Sequence, residues 1–336
     1  MSIVYTIIIL CILIVTHELG HFTLAKLNGV FVDEFSLGMG PKLYQRQGKE
    51  TKYSIRLFPI GGYVKMEGED EDSENPRAFC NKSVLARISV VFAGPLMNFV
   101  FAIIFFMVAF MYFGVPSQSA VIGGVVAGQP AATAGLEKGD KITAVNGKAV
   151  ATWTEAVQLI RKDGNKALTV TYARDGQNHE LKVTPVLNKK AGYVVLGITQ
   201  SIDKVNIFQA VKLGCKETYD FSKLLVVSLY KMITGQMAVD LAGPVGMVTM
   251  VGDYAQSGVM YLFLFAGILS INLGIINLLP FPALDGFRII SLCVEGVRGK
   301  PIDRNKEGMM NFVGLVILLA LMVVITYHDI LRLIGG

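Results

Sequence analysis

The sequence predicts a polytopic α-helical membrane protein with four transmembrane helices. A β region lies between the first two spans and a soluble α+β domain is inserted before the third. Three observations carry this. Stretches 3–27, 88–113, 259–281 and 309–327 are long and apolar enough to cross a bilayer core of about 30 Å, which takes roughly 20 helical residues. The 336 residues are 17% charged with a mean hydropathy of +0.51, whereas an ordinary soluble domain carries roughly 25% charged residues. Between spans two and three, β-rich runs alternate with turn residues, the patterning of a soluble domain.

The first span, 1–27, contains His17-Glu18-Leu19-Gly20-His21. Histidines at i and i+4 on a helix lie about 40° apart in projection, so both rings reach one metal ion. The glutamate between them points to one side, where it activates a water at the metal; this is the HExxH pattern of zinc peptidases. Ionisable groups inside a span are costly and default to functional roles. A polar contact between helices is the competing reading. No basic n-region or small-residue cleavage site marks 1–27 as a signal peptide, so the helix is expected to be retained.

Residues 28–87 are mixed and charged. Segments 32–37 and 53–57 read as strands, and Pro59-Ile60-Gly61-Gly62-Tyr63-Val64-Lys65-Met66 as a turn feeding another. The tract from Glu67 to Glu74 reads as a solvated acidic loop. Lys26, Lys42, Arg77, Lys82 and Arg87 flank this segment, and Arg298, Lys300, Arg304 and Lys306 fill 287–308 after span three. The positive-inside rule then puts both loops in the cytoplasm and both termini outside. In the second span, 88–113, Gly94-Pro95-Leu96-Met97-Asn98 reads as a close-packing site with a kink.

In the inserted domain, 116–200, Ala134-Gly135-Leu136 precedes Gly139-Asp140-Lys141-Ile142. Asn146-Gly147 is a hairpin signal. Residues 154–162 pattern as a short helix, and 168–172 and 179–183 as strands joined by Arg174-Asp175-Gly176. This resembles a bacterial PDZ domain, which binds extended peptides by adding a strand to a sheet edge. The resemblance implies a peptide-terminus loop at 191–198, with Gly192, Leu196, Gly197 and Ile198 as its contacts; a purely steric role is the alternative. The following 201–258 is helical in pattern and is expected on the outer membrane surface.

A catalytic zinc takes three protein ligands and leaves a position open for water. His179 and His328 are poorly placed to join His17 and His21. Asp285, in span three with its motif (259–286), is the carboxylate that topology brings to the same depth. Pro280, Pro282 and Gly286 break the helix there, letting backbone line a hydrated cavity. Glu18 is then the general base, and Asn277 offers an amide to a developing oxyanion; a helix-capping carboxylate at Asp285 and an interhelical hydrogen bond from Asn277 are the competing readings. The chain closes with a fourth span, 309–327, and a tail, 328–336. Four scattered cysteines without a CxxC favour neither a disulfide framework nor a cysteine–zinc site. A net charge of +5 spread along the chain gives no argument for nucleic acid.

His17-Glu18-Leu19-Gly20-His21, Gly94-x-x-x-Asn98 and Asn277-Leu278-Leu279-Pro280-Phe281-Pro282-Ala283-Leu284-Asp285-Gly286 are similar to the three membrane motifs of site-2 proteases. Leu241-Ala242-Gly243-Pro244-Val245-Gly246 matches as well, and the bacterial regulator of sigma-E protease branch is the nearest. The resemblance implies an intramembrane zinc metalloendopeptidase of a bacterial inner membrane, its active site near the cytoplasmic face and its PDZ domain outside. It implies single-span substrates already trimmed outside, such as anti-sigma factors or signal-peptide remnants. Gly61, Gly62 and Tyr63 would form a membrane-dipping edge strand that holds substrate extended, and Asn277 and Asn98 would handle substrate. The chain has room for a single PDZ domain where some relatives have two. It carries Phe287 where the family often has a second glycine. Two alternatives stand beside this: a membrane-anchored PDZ scaffold with a vestigial zinc site, against which the intact Glu18 speaks, and a zinc hydrolase acting on another bond.

Overall fold

The first apolar stretch is helical from end to end, α1 (Ser2–Leu27), because nothing in it breaks the run before Asn28-Gly29. The computed structural model describes all residues except 70, 163, 189–191, 239–241 and 336, with the backbone alone at 59, 60, 188, 304 and 335. Asp70 of the acidic tract, Ala191 of the expected peptide loop and Leu241 of the family-like segment thus lie outside the described residues. The chain forms two compact units, Met1–Ala109 with Phe208–Gly336, and Phe110–Ile207.

After α1 come two long strands, β1 (Val32–Gln47) and β2 (Lys52–Met66). They exceed the short strands expected and fold over one another, so that Glu34–Leu37 pairs with both Lys52–Ile55 and Gly62–Lys65. Gly62–Lys65 is left as an edge. Helix α2 (Val84–Phe113) follows, with Pro95 inside it. Val32, Val64, Met66 and Phe79 form one core with Ala25 of α1 and Val90 and Val91 of α2, fixing the sheet against the C-terminal end of α1 and the N-terminal part of α2.

The second unit begins with β3 (Val115–Pro116), β4 (Ile122–Val125), α3 (Pro130–Ala134), β5 (Lys141–Val145) and β6 (Lys148–Ala149). It continues through α4 (Trp153–Lys162), β7 (Leu168–Arg174), β8 (Gln177–Val183), β9 (Val186–Asn188), β10 (Tyr193–Val195), β11 (Ile198–Gln200) and β12 (Ile202–Asp203). Strands β6-β5-β7-β8 form one sheet, while β4 pairs with β11, β9 with β10 and β3 with β12. Both expected hairpin turns are present. Asn146 and Gly147 have φ of 49° and 72°, and Asp175 and Gly176 have 49° and 79°, the left-handed pairs that match strand twist. Ile122, Ile142, Leu168, Val170 and Leu196 are among the buried side chains of the core.

A charged pair closes this unit. The Asp140 side chain is 1% exposed and accepts from Arg174 Nε and Nη2 and from Glu137 N, each at 2.8 Å. Burial pushes its pKa up, but the Arg174 hydrogen bonds, the Glu137 amide and the guanidinium charge outweigh this and hold it below the ordinary value. A carboxyl whose folded pKa is depressed contributes stability above its unfolded pKa of about 3.9 and loses it as pH falls through the folded value. Unfolding of residues 110–207, followed by amide hydrogen exchange in the full chain, is therefore expected to be flat from about pH 7 to 5 and to ease below about 4. Asp140→Asn should remove that dependence and cost on the order of 3 kcal/mol at neutral pH.

The first unit resumes with α5 (Ile207–Ile233) and α6 (Pro244–Ser257). Helix α6, within the 201–258 stretch expected to be helical, buries one face in this unit. Its Val251 is fully buried, a Cβ on Gly252 would lie 2.7 Å from Ser2 Oγ of α1, and its Gly246 N donates to Asp329 Oδ2 at 2.7 Å. The apolar helix α7 (Val259–Asn277) ends four residues before the expected limit of 281, because the two prolines that follow cannot continue it. Asp285 does not close span three but opens α8 (Asp285–Arg298), so much of the expected 287–308 loop is helix. The last helix is α9 (Arg304–Gly335). Helices α1, α2, α7 and α9 are long and apolar enough to cross a membrane, which makes this a multi-pass membrane protein.

Candidate metal centre

Helices α1 and α2 cross where side chains are smallest. A Cβ on Gly20 would stand 2.2 Å from the Ala93 carbonyl oxygen, so only glycine permits this approach. The crossing sets two stripes face to face: His17 and His21 on α1, and Val90, Gly94 and Asn98 on α2, each spaced by one helical turn. A Cβ on Gly94 would meet His21 Nε2 at 2.3 Å and His17 Cε1 at 2.9 Å, so the rings occupy the space a side chain would take. His21 Nδ1 donates to the Val90 carbonyl at 2.9 Å. His17, 8% exposed, has its Nδ1 3.0 Å from Asn98 Nδ2.

Asp285 arrives from the other side of the fold. The turn between α7 and α8 is tight: a Cβ on Gly286 would lie 2.3 Å from the Leu278 carbonyl oxygen, and Ala283 is held at φ 76°. Asn311 of α9 supports it, its Oδ1 accepting from Ala283 N at 3.1 Å. Beyond the turn, α8 is anchored by Arg87–Glu295 and Arg288–Glu69 ion pairs, which join it to α2 and to the acidic segment.

The result is a converging donor set. Asp285 Oδ2 lies 3.1 Å from His17 Nε2 and 3.5 Å from His21 Nε2, and the two Nε2 atoms are 3.2 Å apart. Tetrahedral coordination with bonds of about 2.0–2.1 Å separates ligand atoms by about 3.3 Å. Among the described residues, Asp285 Oδ2 is buried with no hydrogen-bond partner. A buried orphan acceptor facing two imidazole nitrogens is repulsive unless a proton or cation sits among them, and the spacing fits a metal ion. Among the described residues this is the one His/Cys/Asp/Glu group so arranged.

The other residues singled out from sequence divide. Glu18 follows His17 on α1, and a Cβ on Gly62 would lie 3.2 Å from Glu18 Cγ, so the sheet edge runs beside it. Gly61 has φ 90° and faces Met39, while the Tyr63 hydroxyl is bonded to Arg56 within the sheet. Asn277 ends α7, half-buried, with no hydrogen bond to the histidines among the described residues. Asn98 is fully buried, its amide against His17. In the second unit, Leu196, Gly197 and Ile198 line a cleft of about 400 Å³ with Trp153, Val157 and Arg161. Gly192 is not part of that cleft, and the Leu196 side chain is 2% exposed in the core, so as a contact it is limited to the cleft floor.

Residues 5–321 match peptidase family M50. The chain belongs to this family. It is 34% identical to the zinc metalloprotease RasP of Geobacillus kaustophilus, covering 98% of this chain and 97% of that protein. It is 33% identical to the regulator of sigma-W protease RasP of Bacillus subtilis over 99% of both chains. That alignment runs over 416 residues, so the relative is longer than the 336 residues here. Among solved structures, the PDZ domain of an SdrC-like protein from Listeria monocytogenes covers 26% of this chain and 90% of its own, at 24% identity and a TM-score of 0.23. As an M50 member the protein is a site-2-type zinc metalloprotease, and zinc is its cofactor.

Proposed function

We propose that the protein cuts single-span membrane proteins within the bilayer, with His17, His21 and Asp285 holding zinc and Glu18 acting as general base. The observation that carries this is the convergence of three donor atoms at separations of 3.1, 3.2 and 3.5 Å beside a carboxylate. Bound there, zinc supplies a Lewis acid for the scissile carbonyl and lowers the pKa of the attacking water. Glu18 takes the proton from that water and delivers it to the departing amine. No hydrogen bond among the described residues occupies the Glu18 carboxylate. Val90 fixes the His21 ring by accepting from Nδ1.

A helical substrate hides its carbonyls in hydrogen bonds, so it must be drawn out before attack. The unpaired side of Gly62–Lys65 suits this, because an extended segment can add to a sheet edge through backbone bonds. Contact between Gly62 and Glu18 supports a strand held there lying within reach of the base. Asn277 stands at the end of α7 as an amide donor for the oxyanion. The PDZ-like unit would screen substrates at its cleft, by binding a trimmed terminus or by excluding bulk. The loop charges favour an active site on the cytoplasmic side with this unit outside. A relative named as a regulator of sigma-W protease favours anti-sigma factors as substrates.

Purified chain in liposomes with a tagged single-span protein tests the reading. The expected product is cut inside the span, as mapped by mass spectrometry, and cutting ceases with chelator and returns with zinc. A cut confined to the soluble flanks would overturn it.

A further inference from the structure

We propose that Asn98 is a positioning residue that sets the tautomer of His17, holding Nδ1 protonated so that the Nε2 lone pair faces Asp285 and His21. The inference rests on His17 being a zinc ligand. A neutral imidazole carries one proton, and a ring that ligates through Nε2 must carry it on Nδ1. For His21 the choice is forced, since Nδ1 faces the Val90 carbonyl at 2.9 Å and a carbonyl only accepts. Among the described residues, no carbonyl is hydrogen-bonded to His17 Nδ1. Its Nδ1 faces the Asn98 amide at 3.0 Å, and an amide presents a donor on one arm and an acceptor on the other.

Asn98 is built to play this part. It is fully buried, one turn beyond Gly94 on the stripe of α2 that faces the histidines. Its backbone oxygen accepts from Ser270 Oγ at 2.7 Å, which pins this turn of α2 to α7. The amide arm that does not face His17, Oδ1, is buried and has no partner among the described residues. A half-turn about Cβ–Cγ exchanges two arms of nearly equal size and brings Oδ1 onto the ring, where it accepts the Nδ1 proton. A ligand ring oriented by an acceptor at its second nitrogen binds metal more tightly, and loss of that acceptor typically costs about 10–100-fold in affinity.

The test is zinc affinity of the full-length protein in detergent, by competition with a chelator, for wild type, Asn98→Leu, Asn98→Asp and His17→Ala. Asn98→Leu keeps the branched shape of the side chain and removes the acceptor, and should weaken zinc by about 10–100-fold. Asn98→Asp supplies an oxygen to the same Nδ1–H and should stay within a few-fold of wild type. A residue needed only for packing gives the reverse order, since leucine fills the space and a buried carboxylate does not suit it. Wild-type affinity in Asn98→Leu together with loss in His17→Ala overturns the positioning role alone. Full affinity in His17→Ala overturns the ligand reading beneath it. A second measurement needs no change at 98: nitrogen-15 spectra of labelled histidine in the zinc-loaded protein, with His179 and His328 replaced by glutamine. Both remaining rings should carry the proton on Nδ1; a proton on Nε2 of His17 overturns the proposal.

Discussion

Glu18→Gln is expected to lower cleavage of a tagged single-span substrate by about 10³-fold while leaving bound zinc unchanged, because a general base contributes roughly 10²–10⁴ to such a reaction. The substitution is nearly isosteric. It removes only the capacity to take up and release a proton, and the three converging donor atoms belong to other residues. The neighbouring contact is to the aliphatic part of the side chain, where Gly62 leaves room beside Cγ, so glutamine fits the same space. Initial rates from purified protein, with metal content measured on the same sample, separate the outcomes. Undiminished cleavage would remove Glu18 from the chemistry. Loss of zinc together with activity would move it into the ligand set. A scaffold reading predicts no cleavage from wild type at all.

The spans and the histidine pair were legible because each depends on local periodicity. An apolar run of sufficient length has few alternatives to a helix, and i, i+4 histidines share a face wherever that helix goes. Asp285 could also be reached by asking which carboxylate topology brings to that depth, although it opens α8 instead of closing α7. The prolines at 280 and 282 signalled a break without saying what followed. What the chain did not disclose was the support around the three converging side chains. Val90, Gly94 and Asn98 form an i, i+4, i+8 stripe that could have been noticed, but which helix it faces depends on the crossing at Gly20 and Ala93. The doubled pairing of β1 and β2 is likewise a tertiary choice, because both halves of β2 alternate well enough to pair with Glu34–Leu37.

That crossing makes Gly94→Ala the most informative single methyl group in the molecule. Judged as helix alone, alanine in place of glycine favours the folded state by about 1 kcal/mol. Judged by space, the new Cβ would lie 2.3 Å from His21 Nε2 and 2.5 Å from its Cε1, well inside contact distance. The ring cannot easily swing aside, since its Nδ1 is held at 2.9 Å by a backbone carbonyl of the same helix. Nor can the helices part without breaking the close contact at Gly20, which the same faces make. The expected result is a fall in zinc affinity of about 10²-fold or more, with cleavage lost in parallel, since an ångström of misplacement at a preorganised site costs on that order. Helical content and solubility in detergent should match wild type. Gly308→Ala in α9, where a Cβ meets nothing within 4 Å, is the control and should change neither zinc nor cleavage. Normal zinc affinity in Gly94→Ala would mean that the rings do not lie against α2 in the working enzyme.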